Sequence, residues 1–138
     1  MSHKSEAILV GCSDPRLRPW YDDYLKRRGF GADGVDLVMV PGAVPALGGE
    51  FSQTQVELIA DWIKALFDLH RFDEAVLTSH EDCGAVGGAG VYNDREKEET
   101  AHIDWCERAG KALRDKLPDD VKITLVYVTL EDFEKFAV

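Results

Sequence analysis

The sequence is sparing with the residues that mark secreted, membrane and nucleic-acid-binding chains. Only three of its 138 residues are cysteine, Cys12, Cys83 and Cys106. An odd, sparse count argues against a disulfide framework. The opening residues 1–6 are polar and too few for a signal peptide, so a reduced, cytoplasmic protein is expected. No apolar run is long enough to span a bilayer. Basic residues are scarce as well: 16 Lys and Arg stand against 26 Asp and Glu, a formal charge of -10. Such a surface repels phosphate backbones and anionic lipid, so neither nucleic acid nor membrane is expected as a partner. Internal repeats, linkers and low-complexity tracts are absent too. What remains, 45% hydrophobic residues in a chain of this length, suits one domain over residues 1–138 with one core.

Four segments read as strands: residues 7–11, 35–40, 75–78 and 121–129. The first, second and fourth are near-continuous apolar runs, the pattern of parallel strands covered on both faces. Helical segments separate them. The first starts near Pro19, a favourable first-turn residue, and ends near Gly29. The second spans about residues 52–69, and the third about 93–117, where Pro118 stops it. The order βαβαβαβ implies right-handed crossovers and an open parallel sheet of about four strands flanked by helices, an α/β fold. In the second helical segment Glu57, Asp61, Lys64 and Asp68 form only a narrow polar stripe. That leaves two readings open: a helix sunk between sheet and neighbours, or one whose flank packs on another subunit. The charged run at residues 94–99 reads as a solvated helix start.

Chemistry collects at strand ends. Cys12 directly follows the first strand, and His80 and Cys83 follow the third. In open α/β sheets ligands gather beyond the carboxyl ends of strands, where the strand order reverses. If the first and third strands are neighbours, these loops share one crevice. Two thiolates and an imidazole are a donor set suited to Zn²⁺, one ion per chain, and three protein ligands leave a coordination position open, as catalytic sites do. The bland reading makes both cysteines small buried hydrophobes and His80 a loop residue. Asp14 and Arg16 follow Cys12 at alternate positions. Arg16 can hold the Asp14 carboxylate bidentately, keeping it ionised and able to accept a hydrogen bond from a water at the metal. Their bland reading is an Asp-Pro turn into the helix with a surface arginine.

Cys12-Ser13-Asp14-Pro15-Arg16 resembles the Cys-x-Asp-x-Arg motif of the β-class carbonic anhydrases, and His80-Glu81-Asp82-Cys83-Gly84 resembles their His-x-x-Cys-Gly motif. The likeness extends over roughly residues 7–128. It implies zinc on Cys12, His80 and Cys83, a catalytic Asp14–Arg16 dyad, strand order 2-1-3-4, reversible hydration of carbon dioxide to bicarbonate, and a homodimer or higher homo-oligomer. Several positions depart from the family pattern. Pro15 stands where the family has Ser, Ser79 where it has Gly, and Val40-Pro41-Gly42-Ala43 where it tends to have Arg-Asn-Ala-Gly. Only eleven residues precede Cys12, where the family carries a helical arm, so the resemblance is to a small member lacking that arm.

The same residues admit other activities. A zinc-binding domain without hydratase activity, serving binding or regulation, would keep the ligands. So would a sister hydrolase of a related small substrate such as carbon disulfide. Cys12 and Arg18 have the Cys-x5-Arg spacing of a cysteine phosphatase loop. Such a loop must aim successive N–H groups at phosphate; Pro15 removes one, no glycine lies inside, and His80 and Cys83 would be idle. The glycines of residues 84–90 do not match a dinucleotide fingerprint and read as room for backbone near the crevice, or as a mobile loop. His3, His70 and His102 read as a terminal, a helix-end and a helix-surface residue, and Cys106 as core.

Overall fold

A computed structural model describes residues 3–31, 34–130 and 135–137. The strands β1 (Ala7–Gly11), β2 (Val35–Met39), β3 (Glu74–His80) and β4 (Lys122–Val128) are all parallel and lie in the order β2-β1-β3-β4. Leu9 of β1 stands opposite Leu37 on one side and Val76 on the other, and Val76 opposite Thr124. Both the strand order and the parallel direction match the expected sheet. A fifth strand, β5 (Lys135–Ala137), adds antiparallel to β4 at the edge.

Each helix has local causes. α1 (Arg18–Arg28) carries Pro19 in its first turn and stops at Gly29, whose φ of 74° is left-handed. α3 (Gln53–His70) starts at Ser52, whose hydroxyl accepts the Gln55 N–H at 3.2 Å. α4 (Arg95–Arg114) starts at Asp94, which accepts the Lys97 N–H at 2.7 Å. Between β2 and α3 lies α2 (Ala43–Leu47), a five-residue helix bracketed by Gly42 and Gly48 that the sequence reading does not contain. With Pro45 inside it, it is too short to show a helical period.

Side chains alternate across β1, and so do the two cores. Ile8 and Val10 face the side of α2, α3 and α4, packing with Leu47, Ile63, Phe67, Cys106 and Leu113. Leu9 faces the side of α1 with Trp20, Tyr24, Val76 and Val126. Each fully buried large apolar side chain stabilises the fold by about 1.5–3 kcal/mol. β1 is buried throughout, as its apolar run requires, and so is β3, although it carries Glu74, Thr78, Ser79 and His80. β2 is not: it is the sheet's edge, and Leu37, at the register of Leu9, is 57% exposed. The expectation that residues 35–40 are covered on both faces is corrected here. An edge strand has a neighbour on one side only.

β1 leads to α1 on one face, while β3 leads to α4 on the other. The chain thus parts between β1 and β3, and a crevice opens at their carboxyl ends.

Candidate metal centre

Cys12 lies one residue past β1. Gly11 before it has no room for a side chain, since a Cβ there would collide with the Tyr21 hydroxyl and Thr78 Oγ1. His80 is the last residue of β3, and Cys83 comes one turn later. The ligand atoms of Cys12, His80 and Cys83 all lie within 4.8 Å of one another, and all three residues are buried. They form the one such group of His, Cys, Asp and Glu side chains among the described residues.

His80 is prepared for a cation. Its Nδ1 sits 2.7 Å from the Glu81 carbonyl, which can only accept, so Nδ1 carries the proton. Its Nε2 is then a bare acceptor, and it is buried without a protein partner. An orphaned acceptor in the interior is costly unless something meets its lone pair. The two thiols tell the same story. A hydrogen bond from Cys83 holds the Cys12 thiol well below its ordinary pKa against the cost of burial, helped by the N–H groups of Gly42 and Asp14. Cys83 is driven up by the Cys12 sulfur and by burial. The two sulfurs are close enough to oppose each other's ionisation, and a divalent cation between them would favour both thiolates. The donor set fits a metal ion.

Gly42 supplies a further support. Its N–H lies 3.4 Å from Cys12 Sγ, its φ is +57°, and a Cβ there would stand 2.6 Å from that of Ala85. Residues 40–43, which depart from the family pattern, thus place a donor on the sulfur. Tyr21 donates its hydroxyl to the Cys12 carbonyl at 2.7 Å.

Asp14 and Arg16 meet as the spacing suggested. Arg16 Nε lies 3.1 Å from each Asp14 oxygen and Nη2 lies 2.6 Å from Oδ2. The bidentate guanidinium holds Asp14 below its ordinary pKa, opposed by some burial. The turn reading holds as well: Asp14 Oδ1 accepts the Arg16 N–H at 2.9 Å and caps the 3₁₀ turn Pro15–Leu17. Pro15 opens that turn, where a missing N–H is tolerated.

Three side chains escaped the sequence reading. Asp82 bonds Arg16, with Nη1 2.9 Å from its Oδ2. Glu98, inside the run read as a solvated helix start, is buried and accepts the Asp82 N–H at 2.7 Å. His102 is not on the helix surface; it is wholly buried, and its Nδ1 is hydrogen-bonded to Ser79 Oγ. The position where the family has Gly is thus filled by a hydroxyl with its own partner. Burial first, then His80, lowers the His102 pKa to about 4, so it is neutral at pH 7. With no exposure it has no direct proton route to solvent. His70 instead pairs with Asp36 at 2.8 Å. Cys106 is core, as expected. The glycine-rich stretch contains two 3₁₀ turns, Gly84–Val86 and Ala89–Val91, with the Gly88 N–H on the Cys83 carbonyl at 2.9 Å.

An open sheet of order β2-β1-β3-β4 with a buried Cys-His-Cys group at its switch point defines an α/β protein whose site could hold a metal ion. The chain has the fold of the β-carbonic anhydrases. It superposes on the β-carbonic anhydrase isoform I of Trichomonas vaginalis with a TM-score of 0.59 at 16% identity, covering 99% of this chain and 83% of that one. The carbonic anhydrase of Streptococcus mutans gives 0.56 at 16% identity, with the same coverage. One of two tetrameric β-carbonic anhydrases of Sordaria macrospora gives 0.55 at 11%, covering 99% and 81%. By sequence, the chain belongs to one family with an uncharacterized protein of Rickettsia bellii (strain RML369-C), 31% identical over 119 residues, 84% of this chain and 72% of that protein. No protein-family model matches the chain.

Proposed function

We propose that the chain is a zinc-dependent carbonic anhydrase, hydrating carbon dioxide reversibly to bicarbonate, with residues 1–138 forming one such domain. The observation that carries this is the gathering of Cys12, His80 and Cys83 around an unpartnered His80 Nε2 at the switch point of this fold. These three residues would hold the ion, which would supply the Lewis acidity that makes hydroxide available near neutral pH. Asp14, ionised and acceptor-only, takes a hydrogen bond from the attacking water and aims its lone pair at the carbon of carbon dioxide. Arg16 occupies both Asp14 oxygens and so restrains the carboxylate from ligating the ion itself. Two further parts of the reading concern the whole chain. Three free thiols suit a reducing compartment, the cytoplasm, and no described helix is long and apolar enough to cross a membrane. Assembly into a homodimer or larger homo-oligomer is supported by the exposed apolar side chains Leu37, Leu58, Trp62 and Leu69 on β2 and α3.

Stopped-flow hydration of carbon dioxide by zinc-loaded protein, followed across pH, tests the activity. The rate is expected to rise with pH through neutrality and to vanish in Cys83→Ser. A zinc-loaded protein inactive at every pH would replace the hydratase with a zinc-dependent binding module, or with a hydrolase of a related substrate if carbon disulfide is consumed.

A further inference from the structure

Asp82 lies between two of the proposed ligands and has the left-handed φ of 59° that an Asp adopts at some cost. Four hydrogen bonds hold it there. Its N–H donates to the buried Glu98 at 2.7 Å, and its Oδ1 accepts the Ala89 N–H at 2.7 Å. Its Oδ2 accepts from Arg16 Nη1 at 2.9 Å, and its carbonyl accepts from Arg16 Nη2 at 3.0 Å. Gly88 makes room, since a Cβ there would stand 2.9 Å from Asp82 Oδ1. Arg16 is thereby gripped from two sides: Nε and Nη2 on Asp14, Nη1 and Nη2 on Asp82.

Stability does not account for this arrangement. An ion pair this exposed contributes little. Gly or Asn would suit the left-handed backbone better than Asp. A charged residue kept in a disfavoured conformation, with its carboxylate divided between a loop N–H and a guanidinium, serves the guanidinium. Arg16 held by Asp14 alone could swing about that pair, carrying the carboxylate with it. Held also by Asp82, its plane is fixed relative to the His80–Cys83 turn.

We propose that Asp82 is a positioning residue: it locks Arg16 from the side opposite Asp14 and so sets the orientation of the Asp14 carboxylate at the metal centre. It acts through Arg16 and does not itself meet substrate. The inference rests on the catalytic reading of Asp14 and Arg16 given above.

Two variants separate the parts of the role. Asp82→Asn tolerates the left-handed φ and keeps an oxygen for the Ala89 N–H, but loses the charge opposed to Arg16. Asp82→Gly suits the backbone best and removes both side-chain bonds. Each is measured for zinc content, melting temperature, kcat and KM. Each is also examined by ¹⁵N NMR of the Arg16 guanidinium, whose Nη protons resolve only while rotation is blocked. The expected result is full zinc content and near wild-type melting for both. Asp82→Asn should lose kcat by roughly tenfold and Asp82→Gly by up to about a hundredfold, with KM little changed. The resolved Arg16 Nη1 signal of wild type should collapse in Asp82→Gly, since Nη1 bonds only the Asp82 side chain while Nη2 keeps Asp14 and the residue-82 carbonyl. Unchanged Arg16 signals in both variants would overturn the proposal, as would zinc loss in a folded variant, which would make Asp82 a support of the ligands instead. If wild-type protein shows no hydration, the functional reading fails, while the Arg16 signals still decide whether Asp82 locks the guanidinium.

Discussion

Arg16 and Asp14 are bonded so closely that their variants should fail in different ways. Arg16→Ala frees the carboxylate. We expect it to keep zinc and lose most hydration activity, with Asp14 found on the metal by crystallography or by an added oxygen scatterer at the zinc edge. Asp14→Asn presents an amide whose N–H₂ cannot accept, so it should keep zinc and lose activity by misorienting the water, a fall of about 10²–10⁴-fold. Full rates in both zinc-loaded variants would remove the dyad from the mechanism. His102 gives a prediction about pH. Burial lowers its pKa from 6.5 to about 4 in the folded chain. Between those values the unfolded chain binds a proton that the folded one does not, so stability falls as pH drops through that window. The loss attributable to His102 is up to about 3 kcal/mol. Melting temperatures of wild type and His102→Gln from pH 7 to pH 4 check it. Zinc release is common to both, so the wild type should fall more steeply, and parallel curves would show that His102 does not titrate there. These residues also mark what the sequence reveals at this scale. Cys12, His80, Cys83, Asp14 and Arg16 were legible because they sit at strand ends with motif spacing. Asp82 was hidden in the middle of a motif whose ends drew the reading. His102 and Glu98 were hidden because burial on α4 depends on partners, Ser79 and the Asp82 N–H, that only the fold supplies.

At the scale of elements, the short helix α2 ties the crevice to α4. Gly48 at its end approaches the α4 backbone so closely that a Cβ would stand 2.7 Å from the Trp105 carbonyl oxygen. Neither helix backbone can yield cheaply, so Gly48→Ala should destabilise the protein by about 1–3 kcal/mol in urea unfolding, although alanine suits its φ of -79°. A midpoint equal to wild type would show that the two helices separate freely. The long helices could be read from their boundary residues, Pro19 and Gly29, Ser52 and Pro118, and the strands chiefly from short apolar runs between them. Neither α2 nor β5 offers a full period. β2 shows the other limit. Its apolar run looks like a buried strand, and nothing in residues 35–40 records that no strand lies beyond it.

At the scale of the molecule, the narrow polar stripe of α3 has its answer in two parts. Phe67 is buried, packed edge-on against Phe72 with ring centroids 5.2 Å apart, so that flank is core. Leu58, Trp62 and Leu69 are exposed and join Leu37 on the outside. If that flank meets a second copy, Trp62→Glu should leave melting of the isolated subunit nearly unchanged and lower the mass seen by light scattering. A wild-type protein that is monomeric at every concentration would show the face to be uncovered. A charge at Phe67 should instead unfold the chain. The βαβ alternation and the strand-end positions of the site residues follow from the sequence pattern, whereas the order 2-1-3-4 was legible only through the family resemblance. Assembly depends on a second chain's surface, which one sequence does not describe.

The most direct test of the metal centre is zinc-edge X-ray absorption on protein purified without added metal, with the metal content of the same sample. One zinc per chain is expected, with two sulfurs at about 2.3 Å and a nitrogen at about 2.0–2.1 Å. One sulfur should be lost in whatever zinc Cys12→Ser or Cys83→Ser retains. A metal-free chain whose Cys-to-Ser variants melt normally and bind added zinc as tightly as wild type would contradict the account.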